Sequence, residues 1–371
     1  MSNYTFVFLE IFSQEGGIQA YVKDVLKAYL SLIEKSSNAP KTDIFLLRDA
    51  PECNNPLTSE LITYHYLKTL SPWKGRLKLA INLLKHLVTN RPKRVFCGHI
   101  NLAPLTQFFC QPLGIPYTVL TYGKEVWKTL PKAQQTALKN ADSIWTISRY
   151  SRDCLCQAND INLNKIEIVP CIVDGEQFTP GEKPSELIEK YNLKDTKILM
   201  TVARLWSGDI YKGVDVTIRA LPKIVQSFPN VKYVVIGRGD DLPRLEQLTK
   251  DLGISDRVVF AGFVASEDLV NNYRLADAYI MPSQEGFGIV YLEAIACKVP
   301  VLSGDADGSA DPLQDGQLGW RVPHRDPDAV AQGCIEILQN NDKRCQGEWL
   351  REKTLATFSP EALSKKLAQL I

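Results

Sequence analysis

Several classes of protein are excluded by what this sequence lacks. No Cys-x-x-Cys occurs among its nine cysteines, and Cys154 and Cys156 stand one residue apart, which is no zinc-knuckle spacing. So odd and scattered a set gives no disulfide framework either, and free thiols in a reducing, cytoplasmic compartment are expected. The first apolar stretch, Tyr4 to Leu9, is too short for a secretory leader. No run reaches the roughly 18 apolar residues that a membrane span needs. Low-complexity tracts and short-period repeats are absent, and 45% hydrophobic with 23% charged residues is an ordinary globular composition.

The most informative absence is local. Between Leu61 and Lys124 there is no Asp or Glu, while Lys68, Lys74, Arg76, Lys78, Lys85, Arg91, Lys93 and Arg94 are all basic. The net charge of +1 hides this, because basic residues outnumber acidic ones 20 to 15 up to Phe178 and trail them 23 to 27 beyond it. Such a stretch attracts polyanions: nucleic acid, anionic lipid or a phosphate-bearing substrate. Aromatic residues do not interleave with it in the way that stacks bases, so nucleic acid is not an expected partner. Peripheral contact of 68–94 with an anionic membrane and a docking helix with a solvated basic face both fit.

What is present has a clear rhythm. A chain of 371 residues implies two domains at roughly 100–200 residues each. Strand-like runs at Tyr4–Leu9, Asp43–Leu47, Val95–Cys97, Tyr117–Thr121, Ser143–Ser148 and Lys165–Val169 alternate with helical periods. One such period is 18–34; another is marked by Leu77, Ile81, Leu84 and Val88, with Lys78, Asn82, Lys85 and Thr89 on its other face. The second half repeats the theme with strands at 198–203, 231–236, 257–261, 278–281 and 299–302 and helices between them. Two βαβα series in tandem predict an α/β protein of two doubly wound parallel sheets. The polar, turn-rich Asp174–Pro184 marks the boundary, giving domains 1–178 and 179–357, with a short helix over 358–371.

Ligands of open α/β sheets bind at the carboxyl ends of the strands. There, Ser283-Gln284-Glu285-Gly286-Phe287-Gly288-Ile289 links a strand to an apolar helix that carries Glu293. The glycines let backbone approach a ligand, and the helix start suits a phosphate. Glu293 needs a partner, either a ribose diol or a neighbouring Lys or Arg. Arg204, just past a strand end, and Lys212, on the next loop before Gly213, can neutralise a diphosphate. Gly237, in Val235-Ile236-Gly237-Arg238-Gly239, and Val264, closing 257–264, follow two further strands, and Gly16-Gly17 opens the first helix. His99 follows another strand end and fits either a proton-transfer or a structural role. Asp305-Ala306-Asp307 spells an acidic triplet of a kind that can hold a metal, but no metal ion is predicted here.

Glu285 and Glu293, eight positions apart around Gly-Phe-Gly, resemble the Glu-x7-Glu motif of retaining glycosyltransferase family 4, which has the GT-B fold. Arg204 with Lys212-Gly213, the Gly237 turn, the stretch ending at Val264, Gly16-Gly17 and Phe358-Ser359-Pro360 with its helix match in order along nearly the whole chain. The resemblance implies two Rossmann-like domains facing a cleft, the first for the acceptor and the second for a nucleotide-sugar donor. It implies transfer with retained configuration by front-face attack, with the departing diphosphate taking the acceptor proton and domain closure excluding water. Arg204, Lys212 and the Gly286–Ile289 amides would stabilise the leaving group, Glu285 the sugar hydroxyls, Glu293 the ribose, and backbone at Gly237 and Val264 the nucleoside. No cofactor is expected beyond the donor substrate, for which UDP-glucose is the first expectation, with a glycan or polyprenyl-phosphate-linked acceptor. The overall pattern resembles bacterial, including cyanobacterial, exopolysaccharide enzymes. Two departures stand out: Tyr122 replaces the family's usual His after 119–121, leaving His99 to supply an imidazole, and Asp307-Gly308 with Asp311 replace a Gly-Gly and Glu. Two alternatives are a non-catalytic nucleotide-sugar-binding scaffold at the membrane and a nucleotide-sugar epimerase of the same fold.

Overall fold

A computed structural model describes residues 4–14, 16–35 and 39–371, so Glu15, just before the Gly16-Gly17 pair, lies outside the described residues. The chain divides into two compact units, Met1–Cys171 with Pro360–Ile371, and Ile172–Ser359. The division falls a few residues from the expected 178/179 and 357/358 because Asp174–Phe178 is bound into the second unit. Val173 N–H donates to Phe358 O at 2.9 Å, and the Arg351 guanidinium donates to the carbonyls of Gly175 and Phe178, both at 2.7 Å.

In the first unit the strands are β1 (Tyr4–Phe8), β2 (Thr42–Leu46), β3 (Ile62–Tyr66), β4 (Arg94–Cys97), β5 (Tyr117–Leu120), β6 (Ser143–Thr146) and β7 (Ile166–Ile168). All pair in parallel in the order β3-β2-β1-β4-β5-β6-β7. Crossovers are made by α1 (Gly17–Glu34), α2 (Pro72–Asn90), α3 (Ala103–Leu113), α4 (Lys132–Asn140) and α5 (Arg149–Asn159). The second unit carries α6 (Ser185–Lys190), β8 (Lys197–Val202), α7 (Val214–Ser227), β9 (Val231–Ile236), α8 (Leu242–Asp251), β10 (Val258–Gly262), α9 (Leu269–Tyr273), β11 (Ala278–Met281), α10 (Ile289–Ala296), β12 (Val301–Gly304), β13 (Trp320–Val322), α11 (Pro327–Gln339) and α12 (Gly347–Phe358). Its parallel sheet runs β10-β9-β8-β11-β12-β13. Strands such as β9, where only Lys232 reaches solvent, are covered on both faces and therefore read as continuous apolar runs. The last helix, α13 (Pro360–Leu370), returns to the first unit, packs on α1 with Leu363 and Leu367 buried, and leaves Ile371 O accepting from Tyr4 OH at 2.9 Å.

The sequence did not place β3 or β13. Ile-Thr-Tyr-His-Tyr is an edge strand with mixed exposure, and Trp-Arg-Val is only three residues long. The helix marked by Leu77, Ile81, Leu84 and Val88 is α2; that row faces solvent, and Leu79, Leu83, His86 and Leu87 form its buried side. All nine cysteines are free thiols.

Candidate functional site

In each sheet the strand order reverses once, between β1 and β4 and between β8 and β11. Parallel sheets open a crevice for ligands at the carboxyl ends of the two strands that flank such a reversal. In the second unit Arg204 stands two residues past β8 and Glu285 four past β11, so both lie at that point. Lys212 ends a 3-10 segment, Ser207–Lys212, that leads into α7. Its ammonium contacts the Glu285 carboxylate, with both side chains only 17% exposed. Arg204 pairs with Asp209 at 3.0 Å, and its guanidinium lies 4.9 Å from the Trp206 ring centroid. Arg204 and Lys212 line one pocket, and Lys212 also reaches one of the two glutamates.

The Glu285 loop is held from its far side by a residue whose role the sequence did not disclose. The Asp307 carboxylate accepts from Glu285 N–H at 2.6 Å and from Ser309 N–H at 2.9 Å, and Gly308 N–H donates to Glu285 O at 2.8 Å. Burial, opposed by those donors, pushes the Asp307 carboxyl up to about 6. A Cβ on Gly308 would sit 2.0 Å from Gly286 O, so the two loops touch backbone to backbone. The departure from the family pattern at Asp307-Gly308 is thus a built support for Glu285. The carboxylate of Asp307 faces backbone donors, and Asp305 lies 3.8 Å from His324 Nδ1. Among the described residues no group of three His, Cys, Asp or Glu converges on one point.

The remaining positions differ in what they can offer. Glu293, on α10, is half-buried and accepts from Tyr273 OH at 2.6 Å. The Phe287 ring is core, edge-on to Phe358 at 5.8 Å, so its backbone is what a ligand could meet. Gly288 precedes the first helical residue, Ile289, and Gly286 lies against Gly308. Gly237 has φ 144°, and a Cβ there would meet Ala203 O at 1.8 Å, which ties the β9 turn closely to the strand end before Arg204. Val264 is half-buried beside the exposed Phe263, whose ring lies 4.5 Å from the Arg238 guanidinium.

In the first unit, Gly16 and Gly17 are exposed at the start of α1, after β1, and His99 follows β4. A cavity of about 180 Å³ is lined by Leu9, Glu10, Gln19, Arg48 and His99 among others. His99 Nδ1 accepts from Asn101 N–H at 3.1 Å, which leaves the proton on Nε2 in the neutral ring. Burial, with the Arg48 charge, lowers its pKa below the ordinary imidazole value. Tyr122 is buried and donates to Gly98 O at 2.6 Å, and burial raises its pKa well above the ordinary phenol value. It braces the residue before His99 and does not present a titrating group.

Residues 184–347 match the family model described as glycosyl transferases group 1. The chain is 34% identical over 232 residues to a GDP-mannose-dependent α-(1-6)-phosphatidylinositol monomannoside mannosyltransferase of Mycolicibacterium smegmatis, a match spanning 59% of each chain. It is 32% identical over 265 residues, 68% of each chain, to the protein of that description from Mycobacterium tuberculosis. In three dimensions it resembles a glycosyltransferase from Rickettsia africae with a TM-score of 0.77 at 16% identity, covering 100% of this chain and 97% of that one.

Proposed function

The chain belongs to the group 1 glycosyl transferases, within glycosyltransferase family 4 of GT-B fold, and we propose that it moves a hexose from a nucleoside diphosphate sugar to a lipid-linked or glycan acceptor with retained configuration. The observation that carries this reading is the Lys212–Glu285 contact, with Lys212 and Arg204 lining one pocket, at the point where strand order reverses. A donor diphosphate takes Lys212 and Arg204 from their carboxylates, and Glu285 is released to hold sugar hydroxyls. The bond from the anomeric carbon to the phosphate oxygen breaks as the acceptor oxygen bonds to the same face, and the departing phosphate takes the acceptor proton. Charge growing on that phosphate is met by Arg204, Lys212 and the Gly286–Ile289 amides, which supply the electrostatic work without a metal ion or other cofactor. Glu293 holds the ribose, and backbone at Gly237 and Val264 receives the nucleoside. On the first unit, Gly16-Gly17 and the Nε2–H of His99 serve as donors to phosphate or sugar oxygens, and the basic stretch 68–94 faces an anionic membrane.

The names of the two mycobacterial relatives support GDP-mannose over UDP-glucose as donor, and a glycolipid as acceptor. Calorimetric titration with GDP, UDP and ADP, with and without EDTA, tests the site on the wild type and on Glu293→Ala. Binding of one diphosphate, indifferent to EDTA and lost in Glu293→Ala, is expected. Binding that requires a divalent ion overturns the metal-free reading, and binding of none of the three overturns the donor site.

A further inference from the structure

The outward side of α2 is apolar where a solvated helix should be polar. Trp73, Leu77, Ile81, Leu84 and Val88 are 62%, 52%, 59%, 41% and 52% exposed. At 100° per residue the five fall within an arc of about 80°, and they run about 22 Å along the axis. The buried residues Gly75, Leu79, Leu83, His86 and Leu87 occupy the opposite side of the helix. Lys74, Lys78 and Lys85 lie in the sector that borders the apolar row, so their stems run beside it and their charges at its edge. Two neighbours extend the apolar surface. Leu70 and Phe108 are exposed, and Leu84 forms one wall of a cavity of about 820 Å³ whose other walls include Pro104, Phe108, Phe109 and Leu113.

An apolar row of this length, bordered by lysines in a segment that has no acidic residue from 62 to 124, matches an anionic bilayer in both of its layers. The lysines meet lipid phosphates, and the row meets the acyl boundary below them. A protein partner would have to supply an acidic rim around an apolar ridge, for which nothing in the fold speaks. We propose that this face of α2, with the cavity mouth at Leu84, inserts into the headgroup–acyl boundary of an anionic membrane, so that membrane binding is hydrophobic as well as electrostatic. This deepens the lipid-linked acceptor reading and rests on it for its purpose, but binding can be measured without donor or acceptor.

The test is flotation of the full chain with vesicles of phosphatidylcholine alone and of phosphatidylcholine mixed with phosphatidylglycerol, in low salt and in about 1 M salt, where the screening length falls to about 3 Å. Binding to the anionic vesicles with a residue that survives high salt is expected. Lipids brominated in the chain should quench a component of the fluorescence that is missing from Trp73→Phe. Leu77→Gln and Ile81→Gln alter exposed positions, should leave thermal unfolding unchanged, and should each weaken partition about tenfold, the factor for burying one such side chain. Four outcomes overturn the proposal: no binding to either vesicle, binding abolished by salt without quenching, undiminished binding of the glutamine variants, or a self-associated species that those variants dissolve. If vesicle binding fails while transfer to a detergent-solubilised short-chain acceptor persists, the insertion falls and the transferase reading stands.

Discussion

Replacing Gly308 with alanine asks whether the Glu285 loop is positioned by the loop behind it. The added methyl would lie 2.0 Å from Gly286 O and 2.4 Å from Gly286 C, where ordinary Cβ contacts begin at about 3.0 Å. Backbone on one side must therefore give way by about 1 Å. The hydrogen bonds from Gly308 N to Glu285 O and from Glu285 N to Asp307 couple that shift directly to the residue assigned to the donor sugar. Misplacement on this scale costs about 100-fold in rate, while overpacking costs about 1–3 kcal/mol of stability. Gly308→Ala should remain folded, retain nucleoside diphosphate binding through Arg204 and Lys212, and lose about two orders of magnitude in kcat/KM. Steady-state transfer from labelled donor, with calorimetric diphosphate binding and urea unfolding alongside, reads all three. Unchanged kcat/KM in a folded variant would refute the claim that this contact sets Glu285.

Further tests address individual groups. Because Asp307 is held near 6 in the fold, its ionisation disfavours the folded state by about 3 kcal/mol. That cost is absent below the ordinary carboxylate range, grows as pH rises from about 4 to about 6 and is then fully present, so wild-type stability should fall by about 2 kcal/mol relative to Asp307→Asn between pH 4 and pH 7. Parallel urea-unfolding profiles for the two proteins would count against the assignment. Lys212→Met removes one charge-assisted contact to the diphosphate, worth about 1.5–3 kcal/mol, and should weaken diphosphate binding about 10- to 100-fold by calorimetry. Tyr122→Phe leaves Gly98 O without its donor and should cost about 1–3 kcal/mol in urea unfolding. The His99 ring should titrate by NMR below the ordinary imidazole value, and a value above it would contradict its burial.

Strand and helix periods carried most of the fold. Buried parallel strands are almost wholly apolar, as in β11 and in β9 apart from Lys232, and crossover helices keep an unmistakable phase, as in α1 and α7. On α2 the period gave the helix but not its buried side: two apolar rows coexist there, and only packing on the sheet decides that Leu79, Leu83 and Leu87 go inward while Leu77, Ile81, Leu84 and Val88 do not. The residues of the candidate site stood out because glycine and charge occur at strand ends. Their supporting contacts did not, although Asp307 and Tyr122 drew notice on other grounds, because those contacts run across distance in sequence. Asp307 reaches Glu285 over 22 residues, Tyr273 reaches Glu293 over 20, and Tyr122 reaches Gly98 over 24.

If Arg204 and Lys212 receive the donor diphosphate, their pairing with Asp209 and Glu285 bears on which anions they accept. A free phosphate ion that drew Lys212 away would leave a carboxylate that is 17% exposed without its cation, and would itself add negative charge beside it. A sugar diphosphate brings hydroxyls for the acid together with phosphates for the bases, so one molecule replaces both partners at once. On the proposed donor reading, the two ion pairs would therefore favour a ligand that carries hydroxyls and phosphates together over the small anions of a cell, as a lock that yields to two complementary keys on one molecule.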